Sequence, residues 1–106
     1  MATKKEYLDY VLDQLSKLQD IRARAMMGEY VLYYRDKVIG GIYDDRFLVK
    51  PTKSAKALLP DAPEEAPYEG AKPMILVDRI EDREFLKELV EAMFDALGRS
   101  GSKNRR

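Results

Sequence analysis

Tyr7, Leu8, Val11, Leu12, Leu15 and Leu18 recur at spacings of one, three and four, the period of a helix with one inward stripe. Asp9, Asp13, Gln14 and Lys17 fall on the opposite side. Thr3-Lys4-Lys5-Glu6 ahead of them has the S/T-x-x-E form of a capping box, in which hydroxyl and carboxylate each satisfy a free amide. The pattern predicts a helix from this box to Leu18. From Asp20 the period changes to two: Ile21, Ala23 and Ala25 alternate with Arg22, Arg24 and Met26, as in a strand. Gly28 interrupts the alternation. Glu29 to Arg35, rich in tyrosine and β-branched residues, reads as a second strand, with Asp36-Lys37 as a two-residue turn. Val38 to Tyr43 then makes a third strand, Asp44-Asp45 a polar turn, and Arg46 to Lys50 a fourth strand stopped by Pro51.

Thr52 to Leu59 carries Ala55, Lys56, Ala57 and Leu58 behind Thr52 or Ser54 as caps, and predicts a short helix ended by Pro60. Asp61 to Glu69 has two prolines, four acids and no apolar period; it reads as a surface connection with a short strand near Tyr68. Met74 to Asp78 is an apolar strand. Asp82 offers a cap for the last helix, in which Phe85, Leu86, Leu89, Val90, Met93, Phe94 and Leu97 keep helical spacing and Gly98 supplies the stop.

The order is helix, three or four strands, short helix, one or two strands, long helix. Neither end helix can bury its stripe alone, so the predicted fold is α+β, a two-layer sandwich with an antiparallel sheet and the helices on one face. Residues 1–98 form the domain and 99–106 a flexible basic tail. The second face of the sheet is the informative one. With Phe47 and Val49 toward the helices, Leu48 points away, and the second strand must leave outside either Val31 and Tyr33 or Tyr30, Leu32 and Tyr34. Such an apolar, tyrosine-bearing outer face reads as a contact for a protein partner or a second copy, or as an ordinary half-wet sheet. Candidate contact residues are Arg22, Arg24, Tyr30, Leu32, Tyr33 and Tyr34. Arg22 and Arg24 share a strand face, with Lys50, Lys53 and Lys56 as further cations. They read as a seat for an acidic partner or as the charged edge that discourages aggregation.

Composition removes chemistry more than it adds any. The 106 residues contain no His and no Cys, so the usual general base, the thiolate nucleophile and the commonest zinc ligands are missing. Asp44 and Asp45 read as turn residues, and a Ser54 pairing with Lys50 or Lys53 has no further signature. Gly40-Gly41 lies inside a strand and marks a bulge or a close approach, not a phosphate loop. No catalytic residue, metal or cofactor is expected. The apolar run Tyr30 to Tyr34 is far short of the roughly 20 residues of a membrane span, and the charged start gives no apolar signal core; the expected location is the cytoplasm, with no membrane contact. Nineteen cations balance nineteen acids overall, while Arg99, Lys103, Arg105 and Arg106 stand in an acid-free tail. That tail gives a second reading, nucleic-acid binding through those four residues.

Three segments carry a resemblance: Ala25-Met26-Met27-Gly28-Glu29-Tyr30-Val31-Leu32-Tyr33, Asp44-Asp45-Arg46-Phe47-Leu48-Val49-Lys50, and Tyr68-Glu69-Gly70-Ala71-Lys72-Pro73-Met74. Over residues 5 to 97 the chain resembles the TfoX/Sxy N-terminal domain family, departing from its pattern at Met27, Glu29-Tyr30-Val31 and Pro73. The resemblance implies a secretion-chaperone-like fold in the order derived above. It also implies a regulatory role and no enzymatic one: full-length members, which carry a further C-terminal helical domain, assist a cyclic-AMP receptor protein in switching on DNA-uptake genes. The expected partners are therefore a second copy or another protein at the sheet face, with an indirect link to a transcription factor.

Overall fold

The computed structural model describes residues 3–104, with side chains through residue 97. Its elements are α1 (Lys5–Gln14), β1 (Ile21–Met26), β2 (Glu29–Tyr34), β3 (Lys37–Ile42), β4 (Phe47–Val49), α2 (Lys53–Leu58), β5 (Glu64–Glu65), β6 (Met74–Leu76) and α3 (Arg83–Asn104). The strands form one antiparallel sheet in the order β1-β2-β3-β4-β6-β5. All three helices cover one face. Leu8, Val11 and Leu15, Ala55, and Leu86, Leu89, Val90 and Met93 meet Leu32, Ile39, Ile42, Phe47, Val49 and Ile75 in a single core. The expected α+β sandwich is the observed one.

Local chemistry explains most element ends. The Thr52 hydroxyl accepts the Ala55 N–H at 3.1 Å and starts α2. Asp82 accepts the Phe85 N–H at 3.0 Å at the start of α3, and this bond, helped by Arg79, holds the Asp82 carboxyl below its ordinary 3.8. Thr3 does something else. The expected capping box is absent, and Lys4 is the N-cap without a side-chain bond. The buried Thr3 hydroxyl donates to Glu29 Oε1 at 2.6 Å and accepts the Asp45 N–H at 3.3 Å, while its own N–H donates to Gly28 O at 3.0 Å. Asp45 Oδ1 in turn accepts the Lys4 N–H at 2.9 Å. The entry to α1 thus ties together the β1–β2 and β3–β4 turns.

Three other boundaries differ from expectation. Helix α1 ends at Gln14, yet Leu15 and Leu18 stay in the core, because tight turns also satisfy a three-residue apolar spacing; Leu18 N–H bonds to Leu15 O at 3.0 Å. The short strand is Glu64–Glu65 and not Tyr68. Helix α3 passes Gly98 and continues to Asn104, since an interior glycine weakens a helix by about 1 kcal/mol without ending it.

The β2–β3 turn is Arg35-Asp36, one residue earlier than Asp36-Lys37, with φ of 50° and 68°. A register shift between Leu32 and Tyr33 leaves Ile39 without an opposite residue, a bulge that displaces the turn. The glycines next to it are required by space. A Cβ on Gly40 would meet Leu48 O and lie 2.7 Å from Val49 Cα, and one on Gly41 would lie 2.5 Å from Tyr30 O and 2.6 Å from the Tyr43 ring. This is the close approach expected of Gly40-Gly41.

Candidate interaction face

Strand alternation, read against the core, settles which side chains face away from the helices. Leu32 and Tyr34 of β2 are core residues, and Tyr30 packs against that core half-buried. The Tyr34 ring meets Phe94 of α3 edge-on at 5.2 Å between centroids. Tyr30, Leu32 and Tyr34 are therefore corrected from contact candidates to inner-face residues, because one slip of parity moves a whole strand's side chains to the other face. Val31 and Tyr33 point outward, half-buried.

Register places Arg22 opposite Tyr33 and Arg24 opposite Val31, so both arginines share this outer face. Strand β1 is the sheet edge and extends past the helical layer; from Arg22 to Met26 every residue is exposed. Arg22 is bonded to Asp36 Oδ1 at 2.6 Å across the β2–β3 turn. Among the described residues Arg24 belongs to no ion pair. Arg22, Arg24 and Tyr33 border a hollow of about 300 Å³.

The β3–β4 part of the same face is built differently. Leu48, on the outer parity, is fully buried. Arg46, first after the Asp44-Asp45 turn, donates to Glu65 Oε1 at 2.7 Å and to the carbonyls of Ala66 and Pro67, both at 3.3 Å, while its Nε donates to Tyr43 O at 3.1 Å. These bonds hold the 66–73 loop over the sheet, with the Tyr68 ring 6.2 Å from that of Tyr43. Burial, then the charges of Tyr68, Glu29 and Tyr33, push the Tyr43 hydroxyl above its ordinary 10.0. Between loop and strands a cleft of about 450 Å³ remains, with Lys50 and Lys72 among its walls.

Among the described residues no three His, Cys, Asp or Glu side chains gather where a metal could be held. Asp44 and Asp45 are turn residues with φ of 54° and 58°; the Asp44 N–H donates to Glu29 at 3.0 Å. The side chains of Arg99 and Lys103, and all of Arg105 and Arg106, lie outside the described residues. No helix among the described residues is long and apolar enough to cross a membrane.

The sequence profile of the TfoX N-terminal domain matches residues 13–97. The chain belongs to that family. It is also 36% identical over 80 residues to a protein of Spirochaeta aurantia described as an uncharacterized 12.7 kDa protein in the trpE 5′ region, covering 76% of this chain and 70% of that one. No solved structure matches the chain.

In this TfoX-type domain the three segments that carry the family pattern converge on the outer face. The first supplies Val31 and Tyr33. The second supplies Arg46 and Lys50, and the third Tyr68, Lys72 and Met74, so the last two meet in the cleft. Sequence reasoning singled out Arg22, Arg24 and Tyr33 on this face and missed Arg46 and Lys72. Arg46 gave no local signal, since three of its four acceptors lie about twenty residues downstream. By sequence Lys50 falls into one group with Lys53 and Lys56, but those two lie on the exposed side of α2.

Proposed function

We propose that this TfoX-type domain is a cytoplasmic, non-enzymatic regulatory module that binds a protein on the outer face of its sheet. The observation that carries the reading is the uncovered β1–β2 surface, where Val31 and Tyr33 stand beside Arg22 and Arg24 while every helix packs on the other side. Tyrosine and arginine next to a β-branched side chain are the residue types enriched in protein contacts. A sequence without His or Cys supports a role outside catalysis. Family resemblance supports a partner of the cyclic-AMP receptor class, acting at DNA-uptake genes.

The partner in this reading is another protein and not a second copy. Two copies joined edge to edge at β1, with outer face beside outer face, bring their arginines opposite or diagonal to one another, which is destabilising. The test is binding of purified cyclic-AMP receptor protein, with cyclic AMP present, to the wild type and to a V31D/Y33D variant. Saturable binding that the double substitution abolishes supports the reading. Binding that the substitution leaves intact removes the outer face from it. Titration with duplex DNA at low salt, with and without residues 99–106, separates this mode from nucleic-acid binding by Arg99, Lys103, Arg105 and Arg106.

A further inference from the structure

The cleft beside the 66–73 loop has a consistent chemistry. Its walls include Val38, Tyr43, Tyr68 and Met74, and among the described residues its only charged lining residues are Lys50 and Lys72. No carboxylate of the described residues lines it. Among the described residues neither lysine is in an ion pair. Arg46 braces one wall through four hydrogen bonds, so little ordering is left for a ligand to impose. An apolar site with cationic groups and no acid is complementary to an apolar body that carries negative charge.

The hollow at Arg22, Arg24 and Tyr33 adds cationic groups on the same face: among the described residues Arg24 is in no ion pair, while Arg22 is shared with Asp36. The two depressions adjoin, because Tyr33 of one is the register partner of Val38 of the other. From β1 to β4 is three strand spacings, about 14 Å, a distance spanned by four or five residues of extended chain. A small anion fills one depression. An extended peptide reaches both.

Resting on the protein-binding reading above, we infer that the outer face seats an extended acidic segment of a partner, lying across the strands. One or two apolar anchor residues of that segment enter the cleft, and its carboxylates face Lys50 and Lys72 at one end and Arg24 and Arg22 at the other. The apolar anchor supplies the contact area, and Lys50, Lys72 and Arg24, with Arg22 shared with Asp36, select against neutral or basic segments.

The test uses the full chain, uniformly ¹⁵N-labelled, and the blocked peptides EEFLEE, KKFLKK and EEGSEE. The expected result is saturable binding of EEFLEE that weakens with salt, moves the amide signals of Val38, Lys50, Ala71 and Arg24, and is at least tenfold weaker in both K50E/K72E and R22E/R24E. KKFLKK and EEGSEE should bind at least tenfold more weakly to the wild type. Equal binding of KKFLKK, no binding of EEFLEE, or shifts confined to other surfaces overturn the proposal. So does 3-phenylpropionate binding as tightly as EEFLEE with no effect of R22E/R24E, which would make the cleft a small-anion site. All four substituted positions are on the surface, and unchanged amide spectra outside the face show that each variant is folded. If K50E/K72E leaves receptor-protein binding unchanged while V31D/Y33D abolishes it, this proposal fails and the protein-binding reading stands. If EEFLEE binds as described and the receptor protein does not bind at all, the reading fails and the site remains.

Discussion

The two halves of the outer sheet face obey the same alternation and end in different states. On β2, Val31 and Tyr33 remain half-exposed; on β4, Leu48 is fully buried although it too points away from the helices. What the β3–β4 side has in addition is the 66–73 loop, held there by Arg46 with the Tyr68 ring beside Tyr43. Period two therefore assigns a side chain to a face, and a distant segment decides whether that face is wet. The bare half is left for a partner, and the covered half acquires a cleft at the margin of its cover.

The sharpest test of that contrast sets neighbours in one strand against each other. Leu32 is fully buried in the core and Tyr33 is half-buried on the other face. L32A is expected to lower stability by about 3 kcal/mol through lost transfer energy and a residual cavity. Y33A should lose less than about 1 kcal/mol, as surface substitutions do. Urea unfolding followed by far-UV circular dichroism measures both. Equal losses would mean that the outer face is a second core, and the contrast between faces would collapse.

Next in size is the removal of the cover. Arg46 makes a partly buried ion pair with Glu65 and donates to three carbonyls, and hydrogen bonds from a charged group are individually strong. R46A should destabilise the domain by about 2 kcal/mol and raise amide exchange across residues 65–73. R46K should recover only part of the loss, because an ammonium lacks the planar fork that reaches several acceptors. If exchange in the loop is unaltered in R46A, the loop is held by something other than the clamp.

These residues also show where reading the chain stops. Strand β1 was legible to the residue, because Ile21 to Met26 alternates without a break. The Asp82 cap was legible as well, and the α2 cap was narrowed to Thr52 or Ser54, since a cap acts within three residues of itself. Thr3 has the same local pattern and a different fate: its hydroxyl is engaged by Glu29, twenty-six positions away, a competition that no local motif reveals. The phase of β2 was narrowed to two choices and could not be closed, because Tyr30, Leu32 and Tyr34 are about as apolar as Val31 and Tyr33. Bulge placement set the β2–β3 turn, and the Arg46 clamp depends on acceptors from another segment. Both are tertiary facts, as is the meeting of Lys50 with Lys72.

Within the covered half, α2 begins at the cleft, where Thr52 both lines the wall and caps the helix. T52A should reduce stability by about 1 kcal/mol and T52S should restore most of it, as expected for a lost N-cap. Loss of EEFLEE binding in T52A with normal binding in T52S would tie the cleft's shape to the start of α2. Intact binding in both would show that the Arg46 clamp shapes the site alone.

The smallest effect is visible only in alkali and belongs to the covered half. Burial raises the Tyr43 hydroxyl above 10.0, with the charges of Tyr68, Glu29 and Tyr33 acting in the same direction. The folded protein therefore keeps this proton to higher pH than the unfolded chain does. Below pH 10 both states are protonated and the group makes no pH-dependent difference; above it the unfolded chain ionises first, so stability falls as pH rises toward the folded value. Y43F removes the ionisation. Its urea midpoint relative to the wild type should be constant from neutrality to about pH 9.5 and should rise above that. Tyr7, raised mainly by burial, acts with the same sign and remains in the variant, so the alkaline decline should be reduced and not abolished. Adding R46A uncovers Tyr43 and should shrink the difference between Tyr and Phe at this position. A difference that survives R46A in full would mean that the strands, and not the loop, keep water from Tyr43, and the two halves of the face would then differ in their own packing.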